Sequence, residues 1–333
     1  MKSLFLGQPH RVEKVYPEWI KKTLEIEAGL EGPCITWPCS ADDAERLKSA
    51  DFIFSTWGMP SLSREEIDEF LPNVKAVFYA AGTVQAFARP FLEKGVRVFS
   101  AWAANGVPVA EFTLAHILLA GKNAYAAKRM YTRHNRFKEG SELVQRTGGI
   151  FRNKVGIIGA GMIGSMVIEK LKDFEIDVYV SDPFLPDEKA KSMGVTKVSL
   201  EEIFKTCRVI SNHLANNDQT KGILNYSLFS TMLQDAVFIN TGRGAQVVEP
   251  DLCNILKGRT DITAVLDVTY PEPLPDGHPF FTLPNVILTP HIAGSMGREV
   301  ERMSQYMLEE YRRYIKGDTA RYDVTLDMLK TMA

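Results

Sequence analysis

Cysteine is scarce in this chain: Cys34, Cys39, Cys207 and Cys253 are the only four in 333 residues, and they are scattered. Cys34 and Cys39 are spaced too widely for a C-x-x-C pair, and no histidine-rich segment accompanies them. A disulfide scaffold and a zinc site are therefore not expected, and free thiols in a reducing compartment are the default. Excess charge is also lacking. The net charge of −2 gives no general attraction to nucleic acid or to an anionic membrane. The basic stretch from Lys122 to Arg152 is a local exception and reads as a solvated or subunit-facing surface. No apolar run approaches the roughly 20 residues that span a bilayer, and the opening MKSLFLGQPHRVEK reads as a first strand, not a signal sequence. The expectation is a cytoplasmic protein with neither nucleic acid nor membrane as partner.

What is present is alternation. Short apolar runs at Ser3–Leu6, Ile35–Trp37, Phe52–Ser55, Ala76–Tyr79 and Arg97–Phe99 interleave with helical patterns at Pro17–Ala28, Asp42–Ser49, Ser63–Leu71 and Phe87–Glu93. A helical pattern, largely apolar around its circumference, runs from Pro108 to Tyr131, and the polar stretch His134–Arg152 reads as an irregular surface arm. A second series starts at Lys154, with strands expected at Val155–Ile158, Asp177–Val180, Val209–His213, Ala236–Asn240, Ala264–Asp267 and Val286–Leu288. A final helix is expected from about Ser295 to Lys316. Strands alternating with helices imply the α/β class with parallel sheets. At this length two domains are expected.

The turn after the first strand of the second series, VGIIGAGMIG, places Gly159, Gly161 and Gly164 in G-x-G-x-x-G spacing. That spacing is weak alone. Here an apolar strand precedes it, a helix follows, and Asp182 stands about 20 positions on at a strand end. Gly159 would permit the tight turn, Gly161 the approach of a pyrophosphate, and Gly164 close helix–strand packing. The amides of Met162 and Ile163 would face the phosphates. Asp182 would take the ribose hydroxyls and repel a 2′-phosphate, and no arginine follows it closely, so NAD is favoured over NADP.

Five strings occur in order: NGVPVAE, VGIIGAGMIG, NTGRGA, LDVTYPEP and TPHIAG. Together they give the chain a resemblance, over nearly its whole length, to the D-isomer-specific 2-hydroxyacid dehydrogenases. The resemblance implies two Rossmann-like domains with the active site in the cleft between them. Residues 1–103 with 292–333 would bind substrate, and residues 104–291 would bind NAD. It also implies roles. Arg243 would grip the carboxylate and carbonyl oxygen of a small 2-oxo acid, His291 would act as acid–base, and Glu272 would orient the imidazole and favour its charged form. Asp267 would hold the nicotinamide carboxamide, Thr241 would lie beside the ring, and Thr220 would sit on the cofactor side. The turn Ala81–Gly82 would offer amides to the substrate carboxylate, with Thr83 and Trp57 as weaker pocket candidates. The helix from Pro108 and its arm would form a homodimer surface.

Against these stand plainer readings: Arg243 as a surface arginine, Glu272 as a loop acid, His291 as a turn cap. Ala215 departs from the family pattern, which usually has proline there, and should loosen its loop. RTGGIFRN lacks the tryptophan often found in the arm. Two other functions share the motifs. A formate dehydrogenase of this fold would lack the acid partner that Glu272 supplies, and an NAD-binding corepressor would use the cofactor to control assembly.

Overall fold

The computed structural model describes residues 1–134 and 136–330. Asn135, within the expected arm, and residues 331–333, at the end of the expected substrate domain, lie outside the described residues. The chain divides into two compact units, residues 1–105 with 295–333, and residues 106–294.

In the first unit, strands β1 (Ser3–Phe5), β2 (Phe52–Ser55), β3 (Ala76–Tyr79) and β4 (Arg97–Ser100) pair in parallel in that order. The short strand Asp323–Val324 adds to β4 antiparallel. Every residue of β2 and β3 is buried, as expected for strands covered on both faces. Phe54, Phe78 and Phe99 lie on adjacent strands and stack with centroids 5.1 and 4.9 Å apart. The helix Glu301–Lys316 places Met303, Met307 and Tyr311 at i, i+4 spacing, and this buried face packs on the sheet, Tyr311 edge-on to Phe78.

The second unit is a seven-stranded parallel sheet. Its strands are β5 (Lys154–Ile158), β6 (Asp177–Ser181), β7 (Thr196–Lys197), β8 (Val209–Asn212), β9 (Val237–Asn240), β10 (Thr263–Leu266) and β11 (Val286–Leu288). The order β11-β10-β9-β8-β5-β6-β7 reverses direction at β5, the doubly wound arrangement. Strand alternation sends neighbouring residues into two cores. Val155, Ile157, Val209, Val237, Ile239 and Val265 enter one, with Ala110, Ile117 and Val167 from helices. Ile158, Ile210, Phe238, Ala264 and Leu266 enter the other, with Phe204, Phe229 and Leu252.

Three local expectations need correction. Ile35–Trp37 is no strand: Ile35 forms a single bridge to Leu6, between Pro33 and Pro38, neither of which can donate to a ladder. The expected long helix from Pro108 is two helices, Trp102–Gly121 and Ala124–His134, broken at buried Asn123 with φ of +53°. The expected irregular arm contains a helix, Phe137–Thr147, whose buried Gly140 and Leu143 were hidden in a polar string. Gly140 lets it approach the preceding helix, since a Cβ there would lie 3.4 Å from the Ala127 carbonyl. Trp102–Gly121 is long and apolar enough to cross a membrane by length and composition alone, a test that buried core helices also pass, and half of it is buried in the fold.

Candidate active site

The glycine turn leaves the end of β5, where the strand order reverses. Gly159 has φ of +85°, and a Cβ there would lie 2.9 Å from the carbonyl oxygen of His213, just past β8. At Gly164 a Cβ would fall 2.0 Å from the Gly159 oxygen, so only glycine lets the helix Met162–Leu171 start this close. Gly161 differs: a Cβ would meet no protein atom within 4 Å. Packing does not require glycine there, whereas a close backbone approach by a pyrophosphate would. No side chain caps the helix, which leaves the first-turn amides, those of Met162 and Ile163 among them, suited to an anion.

Asp182 follows β6. Its Oδ2 accepts from the Ala160 amide at 2.7 Å and its Oδ1 from the Phe184 amide at 2.8 Å. It therefore braces the glycine turn, with lone pairs left for a ribose. Asp182, Pro183, Ile158 and Leu214 help line a cleft of about 530 Å³. Lys197 lines it too, but its Nζ donates to the Leu185 carbonyl at 2.7 Å and lies 3.3 Å from Asp187. These residues fit a dinucleotide.

Arg243, Glu272 and His291 all lie in the second unit, on loops that follow β9, β10 and β11. The Nδ1 of His291 stands 2.6 Å from Oε1 of Glu272, and both side chains are about half exposed. Asp267, at the end of β10, builds the histidine's turn. Its carbonyl accepts from the His291 amide at 2.9 Å. Its carboxylate accepts from Ile292 N, Ala293 N and the Thr289 hydroxyl at 2.9, 2.9 and 2.6 Å. Asp267, Glu272 and His291 share a second cleft, about 770 Å³, with Leu274, Phe280 and Leu288.

Burial pushes the Arg243 guanidinium down, while the Glu272 charge pushes it up. Arginine's basicity leaves it charged at neutral pH in either case. Gly244, next in sequence, packs on the Glu272 loop: a Cβ there would overlap the Thr269 carbonyl carbon at 2.0 Å. From behind that loop, buried Glu249 accepts the Tyr270 amide at 2.7 Å, and burial raises its carboxyl.

The remaining expected residues are placed as follows. Thr241 is buried, its hydroxyl 3.0 Å from that of Thr113. Thr220 donates its hydroxyl to the Ala215 carbonyl at 2.6 Å and so serves its own loop. Ala81 and Gly82 belong to the first unit, after β3. Their carbonyls accept from the Ser100 hydroxyl at 2.9 and 2.6 Å, and the Ala81 amide donates to Tyr79. Trp57 packs against that unit's core.

Sequence reasoning missed Thr113, Glu249 and a set of carboxamides, Asn212, Asn240 and Gln246, buried under the Arg243 loop. Two of them ended apolar strands, and that was a usable signal. His213 is buried, bonds Ser211 through Nε2 at 2.9 Å, and has no partner on Nδ1 among the described residues. Burial pushes it down to about 4.

Residues 114–293 match the family model described as D-isomer specific 2-hydroxyacid dehydrogenase, NAD binding domain. The chain is similar to D-3-phosphoglycerate dehydrogenase of Methanocaldococcus jannaschii, 31% identical over 83% of this chain and 52% of that protein. It thus spans about half the length of the phosphoglycerate dehydrogenases it matches first. Glyoxylate reductase of Korarchaeum cryptofilum is 26% identical over 82% of each chain. Among solved structures, the TT0316 protein of Thermus thermophilus superposes with a TM-score of 0.72 at 26% identity, covering 98% of this chain and 100% of that one.

Proposed function

Since the chain belongs to the D-isomer-specific 2-hydroxyacid dehydrogenase family and carries its NAD-binding domain, we propose that it reversibly reduces a small 2-oxo acid to a D-2-hydroxy acid. The observation that carries this reading is the His291–Glu272 pair at 2.6 Å, in the same unit as the glycine turn and Arg243. Bound NADH supplies the hydride. Gly159, Gly161, Met162, Ile163 and Gly164 would hold the pyrophosphate, and Asp182 the ribose. Thr241 and Asp267 would flank the nicotinamide, and Thr220 shapes the adjoining loop.

Arg243 binds the acid's carboxylate and polarises its carbonyl, a task for a planar, permanently charged fork. With Nδ1–H donated to Glu272, the His291 imidazole turns Nε2 outward. From there it gives a proton to the carbonyl oxygen as the alcohol forms, and takes it back in the reverse direction. Glu272 holds the imidazole in orientation by accepting from Nδ1–H and does not itself exchange the proton. The Ala81 amide is already given to the Tyr79 carbonyl, so of the expected turn Ala81–Gly82 the Gly82 amide would be the donor to the carboxylate, and the helix Trp102–Gly121 with the segment after it would form a homodimer surface. Glu272 is the residue a formate dehydrogenase would not need, since formate oxidation releases no hydroxyl proton.

The test mixes the protein with NADH and a panel of 2-oxo acids (glyoxylate, hydroxypyruvate, pyruvate and branched acids) and follows nicotinamide absorbance. Turnover of at least one supports the reading. Demonstrated NADH binding with no turnover of any of them counts against it.

A further inference from the structure

Three carboxamide side chains, Asn212, Asn240 and Gln246, are buried together below the Arg243 loop, each 1% exposed or less. Asn212 and Asn240 end β8 and β9 and stand opposite each other in register. Asn212 donates through Nδ2 to Asn240 Oδ1 at 3.0 Å and to Gln246 Oε1 at 2.6 Å. Gln246 Oε1 also accepts the Arg243 amide at 3.2 Å, and Asn240 donates to the Arg243 carbonyl at 3.2 Å. Both backbone polar groups of the arginine are thus held by side chains. The other end of Gln246 reaches elsewhere: Nε2 donates to the carbonyls of Leu214 and Ala215 at 2.7 and 3.0 Å.

At Ala215, where the resemblance implies proline, the sequence leads one to expect a looser loop. Instead its carbonyl takes two side-chain donors, Gln246 and Thr220. A proline would stiffen that loop through its ring; here part-buried hydrogen bonds do so. Gly242 belongs to the same arrangement, because a Cβ there would lie 3.0 Å from Gln246 Oε1 and 3.1 Å from Asn212 Nδ2. The backbone must come this near for the carboxamides to reach Arg243.

We propose that Gln246, anchored by Asn212, is a positioning residue for Arg243, and that one carboxamide fixes the substrate-cation loop against the Leu214–Thr220 loop. It rests on the function proposed above only for its kinetic consequence. A buried network of this kind has one arrangement in which every donor and acceptor is used, so it specifies loop position more sharply than apolar packing would.

The test replaces Gln246 with Met, which keeps length and removes every side-chain hydrogen bond of the residue, and reads two things. Hydrogen exchange should quicken at least tenfold over residues 241–246 and 214–220, with β10 unchanged. KM for the accepted 2-oxo acid should rise about tenfold with a fall in kcat, while NADH affinity changes much less. A residue that only stabilised the fold would lower the melting temperature and leave the KM-to-kcat split alone. Should Q246M fail to fold, N212L/Q246M removes both partners together and restores an apolar contact. Unchanged exchange over 241–246, or quicker exchange with wild-type kcat and KM, overturns the proposal. The exchange arm needs no substrate. If the wild-type protein turned over no 2-oxo acid, the reading above would fall, and exchange would still decide this one.

Discussion

His291 presents Nδ1 to Glu272 at 2.6 Å from a backbone with φ of +53°. A non-glycine residue in that region costs on the order of 1–3 kcal/mol and persists only where its surroundings over-determine it. Asp267 is the over-determining residue, since its carbonyl takes the His291 amide and its carboxylate takes the next two amides. The turn therefore aims the imidazole, and Glu272 fixes its rotation.

Replacing His291 with Ala should lower kcat by about 10²–10⁴-fold, the usual contribution of general acid–base catalysis. Glu272→Gln keeps an acceptor for Nδ1–H and removes only the charge, so its loss should be smaller. Steady-state kinetics with NADH titrated separately by fluorescence checks both. A large change in NADH affinity for either variant would contradict the assignment.

Arg243→Lys retains a cation and loses the fork. We expect KM for the acid to rise and kcat to fall together, with kcat/KM down by roughly 10²-fold, equivalent to about 2.7 kcal/mol. Near-normal kcat/KM in R243K would show that bidentate contact is not used.

The three glycines should separate fold from cofactor. G164A and G159A drive a Cβ into backbone oxygen at 2.0 and 2.9 Å and should each cost about 1–3 kcal/mol or more, seen in denaturant melts. G161A has no protein atom within 4 Å to meet, so it should melt normally while binding NADH more weakly. Normal NADH affinity in G161A would remove the pyrophosphate from this turn.

Asp182→Asn should relax discrimination against NADPH by roughly tenfold, or about 1.4 kcal/mol. It should also destabilise the glycine turn, because one of the two amides accepted by the carboxylate loses its oxygen. The ratio of kcat/KM for the two cofactors, beside a melting curve, measures both effects.

Burial holds His213 neutral down to about pH 4, against an ordinary value near 6.5. Below pH 6.5 the unfolded chain takes this proton and the folded chain does not. Stability should therefore be full above 6.5, fall as pH drops to about 4, and level off below. The total is about 3 kcal/mol. His213→Gln should flatten this part of the profile in melts taken across the range. An unchanged slope would show that other groups carry it.

Much of the architecture was legible because strands buried on both faces leave continuous apolar runs. Phe52–Ser55 and Ala76–Tyr79 fall where their sequences put them. What failed was local competition. The prolines around Ile35 cancelled a strand that its apolar residues suggested, and Gly140 concealed a helix because its value lies in contact and not in propensity. Of the site, the glycine spacing and the His291, Glu272 and Arg243 strings could be read directly. The braces could not: Asp267's grip on the His291 turn, Glu249 behind Tyr270, and Gln246 between two loops each join residues separated by 20 positions or more in the chain.

The sequence alone determined which groups could do chemistry and which backbone positions had to lack a side chain, because residue type and spacing act locally. The tertiary structure alone decided how those groups are held. Asn212 and Gln246 are 34 positions apart, and only the pairing of β8 with β9 brings their amides within 2.6 Å, both fully buried.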